Sequence, residues 1–313
     1  AQDGAHHHVD GITISTHGSG RDWGTDVIGS TIDEVRATGA SWVCVHPYAW
    51  IRNDGTVEFR RFEPGSAPAH LIRPIDEAHR RGVKIMIKPH LGYWGSAFAW
   101  RGAITFTAPE QLERFWRTYT DWIVEVAAAC KDADAFVVGT ELDRLLDEAH
   151  WREIIRRVRE VTQAPLTYAA NWTDYRHVPF WDALDVIGIQ AYFPIADTPT
   201  ADESVLREGW RRRMRELREF AEPLDKFVVF TELGYNRSFS TAVEPWNAKM
   251  DGDEAEATQL ACMRVALESI RAERLVLGAF LWKWFPGRTR RVHDFYLRSS
   301  SMLRLLKEVW TRP

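Results

Sequence analysis

The sequence predicts an α/β protein, a single-domain (β/α)8 barrel of the TIM-barrel type. Eight short runs of apolar and β-branched residues recur along the 313 residues, and helical patterns separate most of them. Regular alternation of strands and helices over this length is typical of such a barrel. No Pro/Ser-rich linker or break in composition divides the chain, so we expect one barrel over residues 1–313, with residues 1–8 as a loose N-terminal extension.

The eight predicted strands are continuous apolar runs rather than alternating ones. This pattern is typical of strands that are buried on both faces of a parallel sheet. The runs occupy residues 9–15, 41–47, 83–89, 135–141, 166–172, 185–193, 227–232 and 276–284.

The predicted helices show apolar residues at helical spacing. The segment 109–130 begins with Pro109, which suits a first helical turn, and the segment 71–82 ends at Gly82, a common helix stop. The others occupy residues 31–40, 150–161, 206–222, 254–273 and 300–310.

The alternative fold is an open doubly wound sheet, which usually has a G-x-G-x-x-G turn after its first strand. Residues 15–24 contain glycines, but not in that arrangement.

Composition excludes several classes of function. A net charge of -4 and a pI near 6.3 give no basic surface for nucleic acid. Apolar runs are far shorter than the roughly 18 residues of a membrane-spanning helix.

Cys44, Cys130 and Cys262 are widely spaced and form no metal-type pair, so we predict buried free thiols and expect no metal or cofactor. The start "AQDG" leaves the compartment open, with export expected ahead of the cytoplasm.

Two predicted strands end in the same three residues, Thr-Glu-Leu. The runs "FVVGTEL" at 136–142 and "FVVFTEL" at 227–233 place Glu141 and Glu232 at the ends of the fourth and seventh strands. Active sites of this barrel lie at the C-terminal ends of its strands. Because strands four and seven lie nearly opposite each other, we expect the two carboxylates to face each other across one pocket.

Polar and aromatic side chains follow the other strand ends. They are predicted to bind substrate and comprise His46, Tyr48, Lys88, His90, Trp94, Asn171, Trp172, Gln190, Tyr192, Tyr235, Trp282 and Trp284. Cleavage of a glycosidic bond needs an acid and a second carboxylate on opposite sides of a sugar ring. Aromatic rings stack on the apolar faces of sugars, while polar side chains bind the hydroxyls. The pattern therefore favours a glycoside hydrolase that acts on an oligo- or polysaccharide.

Other functions of the same barrel remain open from these residues. A metal hydrolase would need a His-x-His pair after the first strand, where only His17 is found. A Schiff-base enzyme would need a strand-end lysine, a position that Lys88 occupies, but a phosphate-binding glycine loop after strands seven and eight is not evident. A barrel that binds sugar without cleaving it is the non-catalytic alternative.

The segments "VGTEL", "WREIIRRVREV", "LTYAANW", "VPFWDALDVIGIQAYFP" and "FTELGYNRS" resemble glycoside hydrolase family 113 of clan A. Characterised members of that family are β-mannanases. The resemblance implies that Glu141 is the acid/base and Glu232 the nucleophile of a retaining hydrolase of β-1,4-mannan or manno-oligosaccharides. It also implies that Trp282 or Trp284 forms the floor of the sugar site. A donor such as Tyr192 would help to keep Glu232 ionised.

Two positions depart from the pattern of the relatives. Thr140 stands where most clan A enzymes have an asparagine that contacts the sugar 2-hydroxyl, so either Asn171 takes that role or the contact differs. Gln190 stands where an acidic residue is expected in related mannanases. Another β-linked glycan, such as a glucan, an N-acetylhexosamine polymer or peptidoglycan, therefore remains an alternative substrate.

Overall fold

The computed structural model describes residues 8–63, 65–287 and 291–311, which form a closed barrel of eight parallel strands. Each strand pairs with the next along the chain, and the last pairs with the first. In chain order the strands are β1 Val9–Ile14, β2 Trp42–Val45, β3 Lys84–Ile87, β4 Ala135–Thr140, β5 Leu166–Asn171, β6 Ile187–Gln190, β7 Val228–Leu233 and β8 Val276–Trp284. The predicted barrel is confirmed. Residues 1–7 of the predicted extension lie outside the described residues.

Seven α-helices surround the barrel within the described residues. They are α1 Val27–Arg36, α2 Ala69–Arg80, α3 Pro109–Ala129, α4 Glu148–Arg159, α5 Glu203–Ala221, α6 Glu256–Ala272 and α7 Ser300–Trp310. Two short 3-10 helices, Tyr175–His177 and Trp181–Ala183, connect β5 to β6, an interval where the sequence shows no helical pattern. No described helix is long and apolar enough to cross a membrane.

Helix α1 begins and ends four residues earlier than predicted. Its buried face consists of Ile28, Ile32 and Val35, which share one side of the helix at a spacing of four and three residues. The chain leaves the helix at Ala37, and Gly39 then adopts φ 97°, a left-handed conformation that favours glycine. The glycine therefore belongs to the turn into β2 rather than to the helix.

Strand residues are buried on both faces of the sheet, as the continuous apolar runs predict. One set fills the inside of the barrel and consists of Val9, Cys44, Met86, Val137, Ala169, Val229 and Phe280. A much larger cluster lies between the strands and the helices. The three cysteines are free and buried, which confirms that prediction.

A small second sheet lies beyond the ends of β2 and β3. Tyr48–Ile51 pairs in parallel with His90–Gly92 and antiparallel with Val57–Glu58. Pro47 and Pro89, which cannot donate a backbone hydrogen bond, separate this sheet from β2 and β3. The small sheet was not predicted, and it positions Tyr48 and His90 at the mouth of the barrel.

Candidate active site

A cavity of about 670 Å³ opens at the C-terminal end of the barrel, and both Glu141 and Glu232 line it. Most of the predicted substrate-binding residues line the same cavity. They are Tyr48, His90, Trp94, Asn171, Trp172, Gln190, Tyr192 and Trp282. The barrel therefore brings together residues that are up to 234 positions apart, counted from Tyr48 to Trp282 (282 − 48).

Glu141 directly follows β4, and its backbone holds the side chain in the cavity. Its φ is 52°, in the left-handed region that residues other than glycine seldom adopt. The Glu141 amide donates to the carbonyl of Ala169 at 2.9 Å, and the Leu142 amide donates to the Tyr168 hydroxyl at 2.8 Å. These bonds to β5 stabilise a conformation that is uncommon away from functional sites.

Glu232 lies at the end of β7 and is almost completely buried. Lys88, Tyr192 and Gln190 surround its carboxylate. The Lys88 ammonium contacts Oε1, and the Tyr192 hydroxyl donates to Oε2 at 2.7 Å. Burial alone would raise the pKa of Glu232. The charge of Lys88 and the hydrogen bonds from Lys88, Tyr192 and Gln190 outweigh burial and lower this pKa below its ordinary value, so Glu232 is a carboxylate.

Lys88 is completely buried, and three oxygen atoms lie within hydrogen-bond distance of its Nζ. Besides Glu232, Nζ donates to the Thr231 carbonyl at 3.1 Å and to Oε1 of Gln190 at 3.3 Å. An ammonium has three protons to donate, and three acceptors are present. This arrangement argues against Lys88 as a Schiff-base nucleophile.

The surroundings of Glu141 shift its pKa in the direction opposite to that of Glu232. Burial raises its pKa, the Arg101 guanidinium at 2.8 Å lowers it, and the negative charge of Glu232 raises it, with a net upward shift. Arg101 itself is fixed by a 3.0 Å bond from Nε to the Leu91 carbonyl. The two glutamates therefore differ in pKa in the directions that an acid and a nucleophile require.

Two further carboxylates lie on the Glu141 side of the cavity. Burial, followed by the charges of Asp174 and Glu141, raises the pKa of Asp143 to about 7. Asn171 donates to Asp143 over 3.5 Å. Asp143, Asp174 and Phe295 line the cavity but were not predicted. Asp143 and Asp174 follow β4 and β5 by a few residues, and that strand-end position is the signal that identifies them.

The two histidines that follow β2 and β3 stack on each other, with ring centroids 4.7 Å apart. Burial, together with the charges of Lys88 and Arg101, lowers the pKa of both rings, so both are neutral. Arg101 approaches Nδ1 of His90 at 3.5 Å and can only donate, so the proton of His90 lies on Nε2. That Nε2 has no hydrogen-bond partner among the described residues and lies 3.6 Å from Glu232.

Aromatic rings form the walls of the cavity mouth. Trp94, Trp100 and Trp246 are 56%, 40% and 46% exposed, which leaves their rings free to stack on a ligand. Trp172 stacks on Trp246 with centroids 5.4 Å apart. On the inner side, the Trp282 ring lies 5.7 Å from the Lys88 ammonium. Stacking surfaces on several sides of an acidic centre suit a chain of sugar rings.

Four of the predicted substrate-binding residues lie outside the cavity, and one of them is Lys88, the completely buried partner of Glu232. His46 is buried behind His90 and contacts Ser15 at 3.0 Å. The Tyr235 hydroxyl accepts a hydrogen bond from Trp210 in the core, at 3.1 Å. Trp284 is 3% exposed, and its ring packs against the Arg298 guanidinium at 4.5 Å. These side chains support the site from behind rather than line it.

The described residues contain no group of three or more His, Cys, Asp or Glu side chains that could hold a metal ion. His46 and His90 do approach each other, with ring centroids 4.7 Å apart. Their rings are stacked, however, with an interplanar angle of 22°, so the ring nitrogens do not converge on one point.

Two carboxylates with opposite pKa shifts, in an aromatic cavity at the C-terminal end of a (β/α)8 barrel, define the class of glycoside hydrolases. The family model of Glycoside Hydrolase Family 113 matches residues 12–293. The chain therefore belongs to glycoside hydrolase family 113, as the resemblance of its strand ends implied.

Solved structures of the same family are similar over nearly the whole chain. The β-mannanase AaManA from Alicyclobacillus acidocaldarius is 25% identical, with a TM-score of 0.80 and 97% of each chain covered. A second family 113 β-1,4-mannanase is 22% identical, with a TM-score of 0.82, and the match covers 97% of this chain and 99% of that one. The comparison with the curated proteins found no match.

Asp143→Asn should stabilise the protein at pH 8 and have little effect at pH 4. The folded protein holds the Asp143 proton up to pH about 7, whereas an unfolded aspartate loses it near the ordinary value of 3.8. Wild-type stability therefore falls as the pH rises between these values. The expected gain is about 1–2 kcal/mol, allowing for partial exposure. Urea unfolding at both pH values measures it, with Asp76→Asn on α2 as an exposed control. Equal effects of Asp143→Asn at the two pH values would contradict the environment described.

Proposed function

We propose that this protein is a retaining β-mannanase that hydrolyses β-1,4-mannan or manno-oligosaccharides by double displacement. The observation that carries the proposal is the opposite environment of the two glutamates, since Glu232 is held ionised and the pKa of Glu141 is raised. Retaining enzymes need one carboxylate as nucleophile and one protonated carboxyl as acid. The mannanase neighbours in the same family support the choice of sugar.

In the first step, Glu141 protonates the glycosidic oxygen while a carboxylate oxygen of Glu232 attacks the anomeric carbon. The bond from that carbon to the leaving oxygen breaks as the bond to Glu232 forms, which gives a glycosyl ester. Tyr192 and Lys88 hold the attacking carboxylate from two sides. They fix its orientation, although their hydrogen bonds also reduce its nucleophilicity and must weaken as its charge is lost.

In the second step, Glu141 removes a proton from water, and the water oxygen displaces Glu232 from the anomeric carbon. The coupling between the two glutamates favours this exchange of roles. The charge of Glu232 raises the pKa of Glu141 in the free enzyme. Once Glu232 is a neutral ester that contribution disappears, and Arg101 at 2.8 Å then favours the ionised form of Glu141.

The two departures from the family pattern have physical roles in this arrangement. The Thr140 hydroxyl is buried and donates to the Pro89 carbonyl at 3.1 Å, so we propose that Asn171, which lines the cavity, contacts the sugar 2-hydroxyl instead. The Gln190 oxygen accepts hydrogen bonds from Thr231 and Lys88. An acidic residue at 190 would add a negative charge beside Glu232, whereas the neutral amide does not.

Glu141→Gln and Glu232→Gln should each lower kcat/KM on β-mannan by about a thousandfold or more, because each removes a reacting group. Product release is measured on β-mannan, β-glucan, xylan, chitin oligosaccharides and peptidoglycan. Glu219→Gln, an exposed glutamate on α5, is the control and should keep full activity. Turnover of another glycan in place of β-mannan would refute the proposed substrate.

A dinitrophenyl β-mannoside separates the two roles, because its leaving group needs no proton. Glu141→Gln should still release dinitrophenol in a first turnover, whereas Glu232→Gln should not. Undiminished turnover in Glu232→Gln would refute the proposed mechanism.

Lys88→Met should move the acidic limb of the pH profile of kcat/KM to higher pH. The Lys88 charge is the main cause that lowers the pKa of Glu232, so its removal raises that pKa and Glu232 becomes protonated at less acidic pH. Tyr192→Phe should shift the limb in the same direction by a smaller amount. Lys84→Met, at the opposite end of β3, is the matched control. An unmoved acidic limb in Lys88→Met would contradict the role given to Lys88.

A further inference from the structure

A second cavity of about 610 Å³ adjoins the catalytic one. Tyr48 lines both cavities and forms their shared wall. The new cavity lies between the small sheet, the segment that follows it and the start of α2. Its chemically distinctive lining residues are Arg21, Tyr48, Trp50, Phe59, Arg60 and Arg61.

The two cavities differ in the ionisable groups that line them. The catalytic cavity is lined by four carboxyl groups, those of Glu141, Asp143, Asp174 and Glu232, and by one arginine. The second cavity is lined by three arginines and one histidine, and no carboxylate lines it among the described residues. A ligand that spans both would therefore meet acidic side chains at one end and basic side chains at the other.

Two of the three arginines are available to a ligand. Arg61 is already occupied, because it pairs with Asp121 at 2.8 Å and lies over the Phe59 ring at 5.4 Å. Arg21 and Arg60 are exposed, and the described part of the chain provides no ion pair for either of them. The proximity of Arg21, after burial, lowers the pKa of His70 in the same lining.

A row of aromatic rings connects the two cavities. In the strand Tyr48–Ile51, Tyr48 and Trp50 are half-buried and share one face, while Ala49 and Ile51 are buried on the other. The Tyr48 ring lies 5.7 Å from Trp94 on the catalytic side and 6.2 Å from Trp50 on the other side. Successive rings of this kind provide stacking surfaces for successive sugars of one chain.

We propose that the second cavity binds an anionic, carboxylate-bearing sugar of the same glycan whose neighbouring units occupy the catalytic cavity. This inference deepens the proposed function and rests on it for the identity of the chain as a glycan. Arg21 and Arg60 would bind the carboxylate, because a guanidinium matches a carboxylate with two parallel hydrogen bonds. Trp50 would stack on the ring of that sugar, and Tyr48 on the next one.

Charge decides which cavity accepts the acidic unit. Among the described residues that line the catalytic cavity, the one arginine is engaged by Glu141, and the ionised Glu232 would repel an added negative charge. In the second cavity, the carboxylate of the acidic sugar meets the guanidinium groups of Arg21 and Arg60, which have no ion pair among the described residues. The enzyme would thus favour glycans in which an acidic unit lies a short distance from the neutral bond to be cleaved.

Affinity is measured by calorimetry in a Glu232→Gln background, so that no ligand is cleaved. The probes are β-1,4-mannohexaose and two mannohexaoses that carry one C6-carboxylated unit, at the reducing or at the non-reducing end. One carboxylated probe should bind about tenfold more tightly than the neutral one at low salt. The preference should fall to within about twofold in Arg21→Ala/Arg60→Ala. Arg117→Ala, an exposed arginine of α3, is the matched control and should keep the preference.

Two results would overturn the inference. One is equal or absent binding of all three probes in the background variant. The other is a preference for a carboxylated probe that survives Arg21→Ala/Arg60→Ala. A separate activity assay tests the proposed function. If that proposal fails, the wild-type enzyme will release no product from neutral β-mannan. The affinity comparison is made without turnover and does not depend on that result.

Discussion

The contact between Lys88 and Glu232 is the interaction on which the rest of the site depends. A carboxylate that is only 4% exposed would lose its charge unless groups around it favoured the ionised form. Lys88 and Tyr192 favour it from two sides, and Lys88 is itself held by the Thr231 carbonyl and by Gln190. Removal of either charged partner would leave the other buried and uncompensated, which is costly in a barrel core. The pair therefore connects the end of β3 to β7 and also favours the ionised form of Glu232.

This contact contributes to the asymmetry between the two glutamates. Burial is the main cause that raises the pKa of Glu141, and the charge that Lys88 and Tyr192 maintain on Glu232 raises it further. Arg101 limits this effect and, in the proposed second step, favours the base form. In the proposed mechanism, the loss of the Glu232 charge would then assist the change of Glu141 from acid to base. His90 is neutral for a related reason, because burial and the nearby cations together lower its pKa.

The sequence predicts the barrel and the position of the two glutamates in one cavity well, because continuous apolar runs indicate buried parallel strands and each Thr-Glu-Leu end places a carboxylate at the mouth of the barrel. It predicts less about which neighbouring side chains line the cavity. Tyr235 lies beyond the end of β7, where strand alternation no longer fixes a direction, and its hydroxyl is bound in the core. Arg101 and Asp143 lie in loops, whose paths depend on tertiary contacts rather than on periodicity. Lys88 lies at a strand end, as predicted, but its partner is a residue 144 positions away, and no local pattern records such a pairing.

We propose that Glu232 forms a covalent bond with the sugar, and mass spectrometry of a trapped intermediate would detect that bond. A 2-deoxy-2-fluoro-β-mannosyl fluoride slows both steps of a double displacement, while its fluoride leaving group still allows the first. After incubation and proteolysis, the peptide that contains Glu232 should carry the mass of one fluorosugar, with fragmentation placing the label on that residue. A label on Glu141 or on another side chain would contradict the account. So would rapid hydrolysis of the fluoride with inverted anomeric configuration and no label on the protein.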